Sequence, residues 1–365
     1  MAYKIKIQKK DALALLFVLF TQSFYMMQGT KLYSNTMRIM VPIAIICGFF
    51  YLVGNRITNG NIEKVLLSVF AFLMLIAFFR GRDTRILIAA IAIYVGINTD
   101  EKKLVSWLFH VRLFLLGIAV LAGGYHHPNT LAMHAGITLL VYFAYKGYKA
   151  NTLFAILFFS IFAAWTKSGA FIVCMGLACL LFTLIRWKSV QHILNSKPVA
   201  YCFPIALALN LLSALLINQS SLSRIGLANV KIPEWLQRTI SYIDYASTSR
   251  ISLAQYSIDH FGISFWGGNI DYSKLEIGLN GYFNLDSGLM WLLQGLGIIL
   301  TILYMIITVY LVMAYQKNSN YYGIIIALTI ALWSMNEDML LSVGFNILYF
   351  FVGRAILDFK SRRTA

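Results

Sequence analysis

Three arginines, Arg80, Arg82 and Arg85, fall in one short polar turn between apolar runs. Guanidinium forks match phosphate oxygens bidentately, so a turn of this kind can clamp an anion. The same triplet would also suit lipid headgroups, and spacing alone leaves both readings open. Acids sit at the ends of other apolar runs: Asp286, Glu337 and Asp338. Carboxylates in such places cap helices or snorkel, accept protons, or hold a coupling ion. His127 and His134, seven residues apart, share a helix face and have His126 beside them, yet no carboxylate or cysteine joins them at ligand spacing. They point to capping, hydrogen bonding or proton transfer rather than to a metal. Finally, residues 218–285 contain Arg224, Lys231, Arg238, Arg250 and Lys274 and no apolar run long enough to span a bilayer. A long polar insert on an apolar chain is where function concentrates.

The elements that must position these residues follow from composition. With 59% hydrophobic residues, 12% charged and a mean hydropathy of +0.73, the chain reads as a polytopic membrane protein. The net charge of +16 does not indicate nucleic acid, because the basic residues cluster between apolar runs as topological signals do. Cys47, Cys174, Cys179 and Cys202 all lie in apolar runs, so neither a disulfide framework nor a cysteine metal site is expected. The basic-then-apolar start lacks a small-x-small cleavage signal and reads as a retained first span.

Spans are expected near 11–27, 37–54, 65–79, 84–97, 104–122, 130–145, 151–165, 168–186, 198–217, 286–314, 321–335 and 338–357, an all-α bundle of about twelve transmembrane helices. With the N-terminus inside, eighteen basic residues fall on cytoplasmic connectors and six on short outer ones, which places both termini in the cytoplasm and 218–285 outside as one large extracytoplasmic loop within a single membrane domain. His110 and Arg112, near the inner end of their span, read as snorkelling groups.

Under this topology every unusual connector shares the outer face: the Arg80–Arg85 turn, 123–129, 166–169, the long loop and 336–338. A site facing outward excludes nucleotides as direct substrates, in keeping with the missing phosphate-loop and dinucleotide motifs. Helices running inward present their positive N-terminal ends there, with Asn129 and Ser168 as expected caps. Within the loop, 249–261 reads as a short amphipathic helix with Ser249 as its cap and Arg250 at its start, followed by a tight turn at Trp266-Gly267-Gly268-Asn269.

These residues resemble the O-antigen polymerase/ligase superfamily, and in particular the Wzy-type polymerases of capsular and exopolysaccharide clusters. In architecture the resemblance covers the whole chain. In sequence it rests on Gly124-Tyr125-His126-His127-Pro128-Asn129-Thr130-Leu131, similar to the family's helix-opening H/N-P-N element, and on Thr166-Lys167-Ser168-Gly169, where Gly169 replaces a family arginine. It rests further on Arg250 followed by Phe261-Gly262-Ile263-Ser264-Phe265-Trp266-Gly267-Gly268-Asn269, and on Leu285-Asp286-Ser287-Gly288, where Ser287 replaces a family asparagine. The resemblance implies transfer of a growing glycan from one polyprenyl diphosphate onto the sugar of another, at the outer face of a bacterial plasma membrane, with no metal or other cofactor. It implies flippase and chain-length regulator proteins as partners beside the lipid bilayer.

A diphosphate leaving group needs fixed positive charge, and the acceptor hydroxyl needs a base. Arg250, Asp286 and His127 are the expected catalytic residues: Arg250 for the charge, Asp286 as base by its match to the family position, His127 as the second choice for base. Arg80, Arg82, Arg85, Lys167, Asn129, Arg224 and Trp266 are the expected diphosphate- and glycan-binding residues. A glycan ligase of the same superfamily and a transporter or flippase for lipid-linked oligosaccharides are the alternatives. A transporter should carry ionisable residues deep in its spans, and few are visible in the sequence.

Overall fold

Apolar runs fold as helices, with Pro42 and Pro204 confined to first turns, and in a computed structural model the protein is all-helical: among the described residues there is no strand, only an isolated bridge between Thr30 and Tyr125. The structure describes residues 9–54, 72, 75, 76, 78, 79, 83–218, 231–268, 270 and 285–353. Arg80, Arg82, Arg224, Lys274, most of the expected 65–79 span and the chain ends lie outside them.

The helices are α1 (Lys9–Met27), α2 (Met40–Gly54), α3 (Thr84–Asn98), α4 (Glu101–Leu121), α5 (Pro128–Lys146), α6 (Thr152–Thr166), α7 (Gly169–Leu184), α8 (Lys188–Leu194), α9 (Cys202–Leu216), α10 (Glu234–Ala246), α11 (Arg250–Phe261), α12 (Gly288–Lys317) and α13 (Tyr321–Trp333), with a short turn of helix at Lys197–Ala200. Met37–Gly54, Glu101–Leu121 and Gly288–Lys317 are long and apolar enough to cross a membrane, and five shorter apolar helices accompany them. On that ground this is a membrane protein. Its outer helix faces agree: Phe154, Leu157, Ile161, Val173, Leu180, Leu209 and Ile302 are exposed, apolar side chains that suit lipid better than water.

One expected span does not form. Residues 338–357 read as a helix, but 334–348 run as consecutive turns, with helix resuming only at 349. The hydropathy was real, since Met339, Leu340, Leu341, Val343 and Ile347 are all buried, but the backbone is irregular. Non-helical backbone at such depth requires partners inside the protein. Asn346 supplies several, donating from Nδ2 to the Leu340 carbonyl and the Tyr304 hydroxyl, both at 2.9 Å, and accepting from Leu348 N at 3.2 Å.

Arg112 supplies the rest, and it does not snorkel. It is 0% exposed, and its Nη1 donates to Gln22 Oε1 and to the Gly344 carbonyl, each at 2.5 Å, while Nη2 donates to the His134 carbonyl at 3.3 Å. Gln22 Nε2 in turn donates to the Val343 carbonyl at 3.3 Å. The irregular segment is thus tied to α1, α4 and α5 by one guanidinium. His134 is also fully buried, stacked between Tyr125 and Phe345 with ring centroids 5.2 and 4.5 Å away.

Among the described residues of the long insert there are two helices, α10 and α11, of which only α11 was expected. The turn after α11 docks on α12 where that helix is broken. Gly297 takes φ +82°, a region closed to most side chains, and Leu292–Leu296 just before it forms a π-turn. The break frees backbone groups, and the turn takes them up: Ile298 N donates to the Ser264 carbonyl (3.0 Å), Ile299 N to Phe265 (3.3 Å), and Gly268 N to the Gln294 carbonyl (3.1 Å). A Cβ on Gly297 would lie 2.1 Å from Gly267 N, so only glycine permits this approach.

Candidate functional site: an arginine–carboxylate cluster at one end of the bundle

Arg250 is the first residue of α11, and a residue six positions earlier fixes it there. Thr248 and Ser249 both adopt left-handed backbone (φ 59° and 62°), folding α10 back over the start of α11. Buried Asp244 then accepts from Ile251 N (2.7 Å), Ser252 N (3.0 Å) and the Ser252 hydroxyl. Ser249, expected as the side-chain cap, makes no cap bond; the carboxylate of Asp244 does that work and satisfies two orphan amides.

From this anchor Arg250 reaches into the start of α12 and the irregular segment. Its Nη1 donates to the Asn336 carbonyl, its Nη2 to Glu337 Oε1 at 3.0 Å, and its Nε lies 3.5 Å from Asp286 Oδ2. The side chains of Arg250 and Glu337 are only 10% and 9% exposed, while Asp286 is 26% exposed. The two partner segments are themselves locked together. Gly288 N donates to the Glu337 carbonyl (3.1 Å) and Leu289 N to Ser334 (3.3 Å). Asn210 of α9 donates to Ser287 Oγ (3.0 Å) and to the Met335 carbonyl (2.8 Å), and Ser287 Oγ caps α12 through Met290 N (3.3 Å).

Arg85 forms a second lobe on the far side of the same segment. It pairs with Asp83 at 2.8 Å and with Asp338 at 3.0 Å, and its guanidinium lies 4.5 Å over the Trp291 ring. Asp83 also caps α3 through Arg85 N (2.9 Å). The described cluster therefore sets two arginines against four carboxylates, all contributed by segment ends at one end of the bundle. Burial pushes the Glu337 carboxyl up to about 7; the Arg250 charge and hydrogen bond oppose this, and Asp286 and Asp338 add to it.

Of the residues expected to form the site, the structure brings Arg250 onto Asp286 and places Arg85 beside Asp338. His127 is exposed at the N-cap position of α5 and makes no side-chain cap bond. Asn129 is not that cap: Pro128 is the first helical residue and Asn129 the second. Lys167 is exposed at the left-handed turn between α6 and α7, with no ion pair among the described residues, and Ser168 takes the expected cap position without a side-chain bond. Trp266 is 45% exposed on the turn that docks at Gly297. Asp244, Trp291 and Asn210 were not foreseen; an acid six residues before a helix-starting arginine carries no sequence signature.

Fold and cluster together define an all-helical membrane protein with partly buried arginine–carboxylate pairs where its helices end. Comparison with protein-family models, with curated proteins and with solved structures finds no match.

Proposed function

We propose that this protein polymerises polyprenyl-diphosphate-linked oligosaccharide repeat units at the outer face of a bacterial plasma membrane, with about twelve spans and both termini in the cytoplasm. The observation that carries the proposal is the convergence on Arg250. The loop arginine, the Asp286-Ser287-Gly288 opening of α12 and the phenylalanine–glycine turn, separate motifs in the Wzy-type resemblance, form one interlocked unit.

In this reading Arg250 meets the charge that develops on the departing diphosphate, in a site where low exposure strengthens the interaction. Arg85, itself paired with Asp83 and Asp338, is the second arginine of the described cluster; Lys167 is exposed, and Arg80, Arg82 and Arg224 are assigned to diphosphate binding from the sequence alone. Asp286 and Glu337 are the carboxylates close enough to Arg250 to share a substrate with it. The partners are the lipid-linked oligosaccharide, the bilayer, and flippase and chain-length proteins. No nucleic acid, metal or cofactor is assigned.

Purified protein in liposomes with lipid-linked repeat units tests this directly. Wild-type protein should yield a ladder of polymer, and Arg250→Ala should yield none while remaining folded in the membrane. A ladder from the variant would remove Arg250 from the mechanism; transfer to a non-lipid acceptor without a ladder would indicate the ligase.

One observation favours a second reading, a transporter for lipid-linked oligosaccharides. Arg112 and His134 are ionisable residues buried deep among the helices, as transporters require. Accelerated movement of a labelled lipid-linked sugar across liposomes, without chain growth, would support that reading over the first.

A further inference from the structure

Two anions compete for one guanidinium at the centre of the cluster. At rest Arg250 lies over Glu337, holding its Oε1 at 3.0 Å and the neighbouring Asn336 carbonyl with the other arm. Among the described residues, the charged and titratable groups facing Glu337 are Arg250 from α11, Asp286 from the approach to α12, Asp338 on its own segment and the Cys174 thiol of α7. Arg250 is the one cation among them. A diphosphate offers the same fork a stronger, bidentate partner.

Resting on the polymerase reading above, we infer that diphosphate binding exchanges the Arg250–Glu337 ion pair for an Arg250–diphosphate pair, and that the uncovered Glu337 carboxylate accepts the proton of the acceptor sugar hydroxyl. The exchange prepares the base. Glu337 already sits near neutrality because burial and two neighbouring acids oppose its charge, and Arg250 is what holds it down. Withdrawing that cation raises its proton affinity at the moment the substrate arrives.

The step balances. The acceptor oxygen bonds to the donor's anomeric carbon, and the bond from that carbon to the diphosphate oxygen breaks. Its electron pair leaves on the diphosphate, where Arg250 meets it, and the hydroxyl proton passes to Glu337. When the diphosphate product departs, Arg250 returns and the proton is released to solvent. Asp286, at 3.5 Å from Nε, keeps the guanidinium in place through both states and acts as a positioning residue.

Two measurements on the full chain test this. Titration calorimetry with inorganic diphosphate just above neutral pH, in buffers of different ionisation enthalpy and with no acceptor hydroxyl present, should show a proton taken from solvent by the wild type that Glu337→Gln lacks although it still binds; in turnover the acceptor hydroxyl supplies that proton instead. Equal uptake in both proteins, or no diphosphate binding by the wild type, would overturn the inference. In the polymerisation assay Glu337→Gln should lose about a hundredfold or more in kcat with little change in KM. Glu337→Asp should retain measurable rate and an acid limb, which keeps the test open should the glutamine variant misfold. A Glu337→Gln rate within about threefold of wild type rules out the base. Proton uptake without any polymerisation by the wild type would instead retain the ion-pair exchange and discard the polymerase.

Discussion

Arg250 has both terminal arms of its fork committed at rest, to the Asn336 carbonyl and the Glu337 carboxylate, while its Nε lies 3.5 Å from Asp286 without a hydrogen bond. The buried acid opposite it gives a prediction about pH. Glu337 is raised from 4.5 to about 7, so the folded state binds its proton more tightly than the unfolded chain does. The stability it contributes is full below pH 4.5 and is lost as pH rises through about 7. The melting temperature of wild type relative to Glu337→Gln should therefore fall across that interval and level off above it; a flat difference would mean the carboxyl titrates normally. Arg112 gives another. Arg112→Met removes the donor shared by Gln22, Gly344 and His134, and each buried acceptor left unpaired costs about 1–3 kcal/mol. Amide exchange at 340–348 should accelerate in that variant before exchange elsewhere does. At this scale Arg250 and Asp286 could be read from the sequence, because they stand in motifs. Arg112 could not, since a lone arginine near a span end has the same signature whether it snorkels or is enclosed.

At the level of elements, α11 points Arg250 only because Asp244 caps it across a left-handed turn. Asp244→Ala should cost about 1 kcal/mol of stability through the lost cap, and more in polymerisation than in melting temperature, because Arg250 is displaced. Gly297→Ala should undock the turn at 262–268, since its Cβ would lie 2.1 Å from Gly267 N; faster proteolysis within that turn is the readout. Hydropathy located most of the helices, and α11 emerged from its apolar spacing. Two elements escaped. Leu236, Ile240 and Ile243 recur at helical spacing in α10, but the helix is low in mean hydropathy and buries only Ile240 and Asp244, so it did not stand out from the polar insert. The 334–348 segment is as apolar as a span, and only its buried hydrogen bonds, invisible in sequence, tell it apart.

For the whole molecule, the proposed orientation is open to chemical labelling. The native cysteines are all buried, leaving little background. Lys167→Cys, exposed at the end of the bundle that bears the arginine cluster, should react with a membrane-impermeant maleimide on intact cells. Lys188→Cys, exposed toward the other end, should react only after permeabilisation; the reverse pattern would turn the protein over.

The irregular segment also sets the order in which this chain can mature. Its carbonyls are satisfied by Arg112, made 232 residues before Gly344, and by Gln22, made 321 residues before Val343. Until the ribosome reaches 334–348, Arg112 stands in the nascent bundle as a cation without its Gly344 acceptor, in surroundings that penalise it. This later-made segment thus supplies an acceptor for a charge carried by helices made before it. Chains stalled before it would present a polar blemish within the bilayer, a mark by which membrane quality control could tell unfinished copies from finished ones.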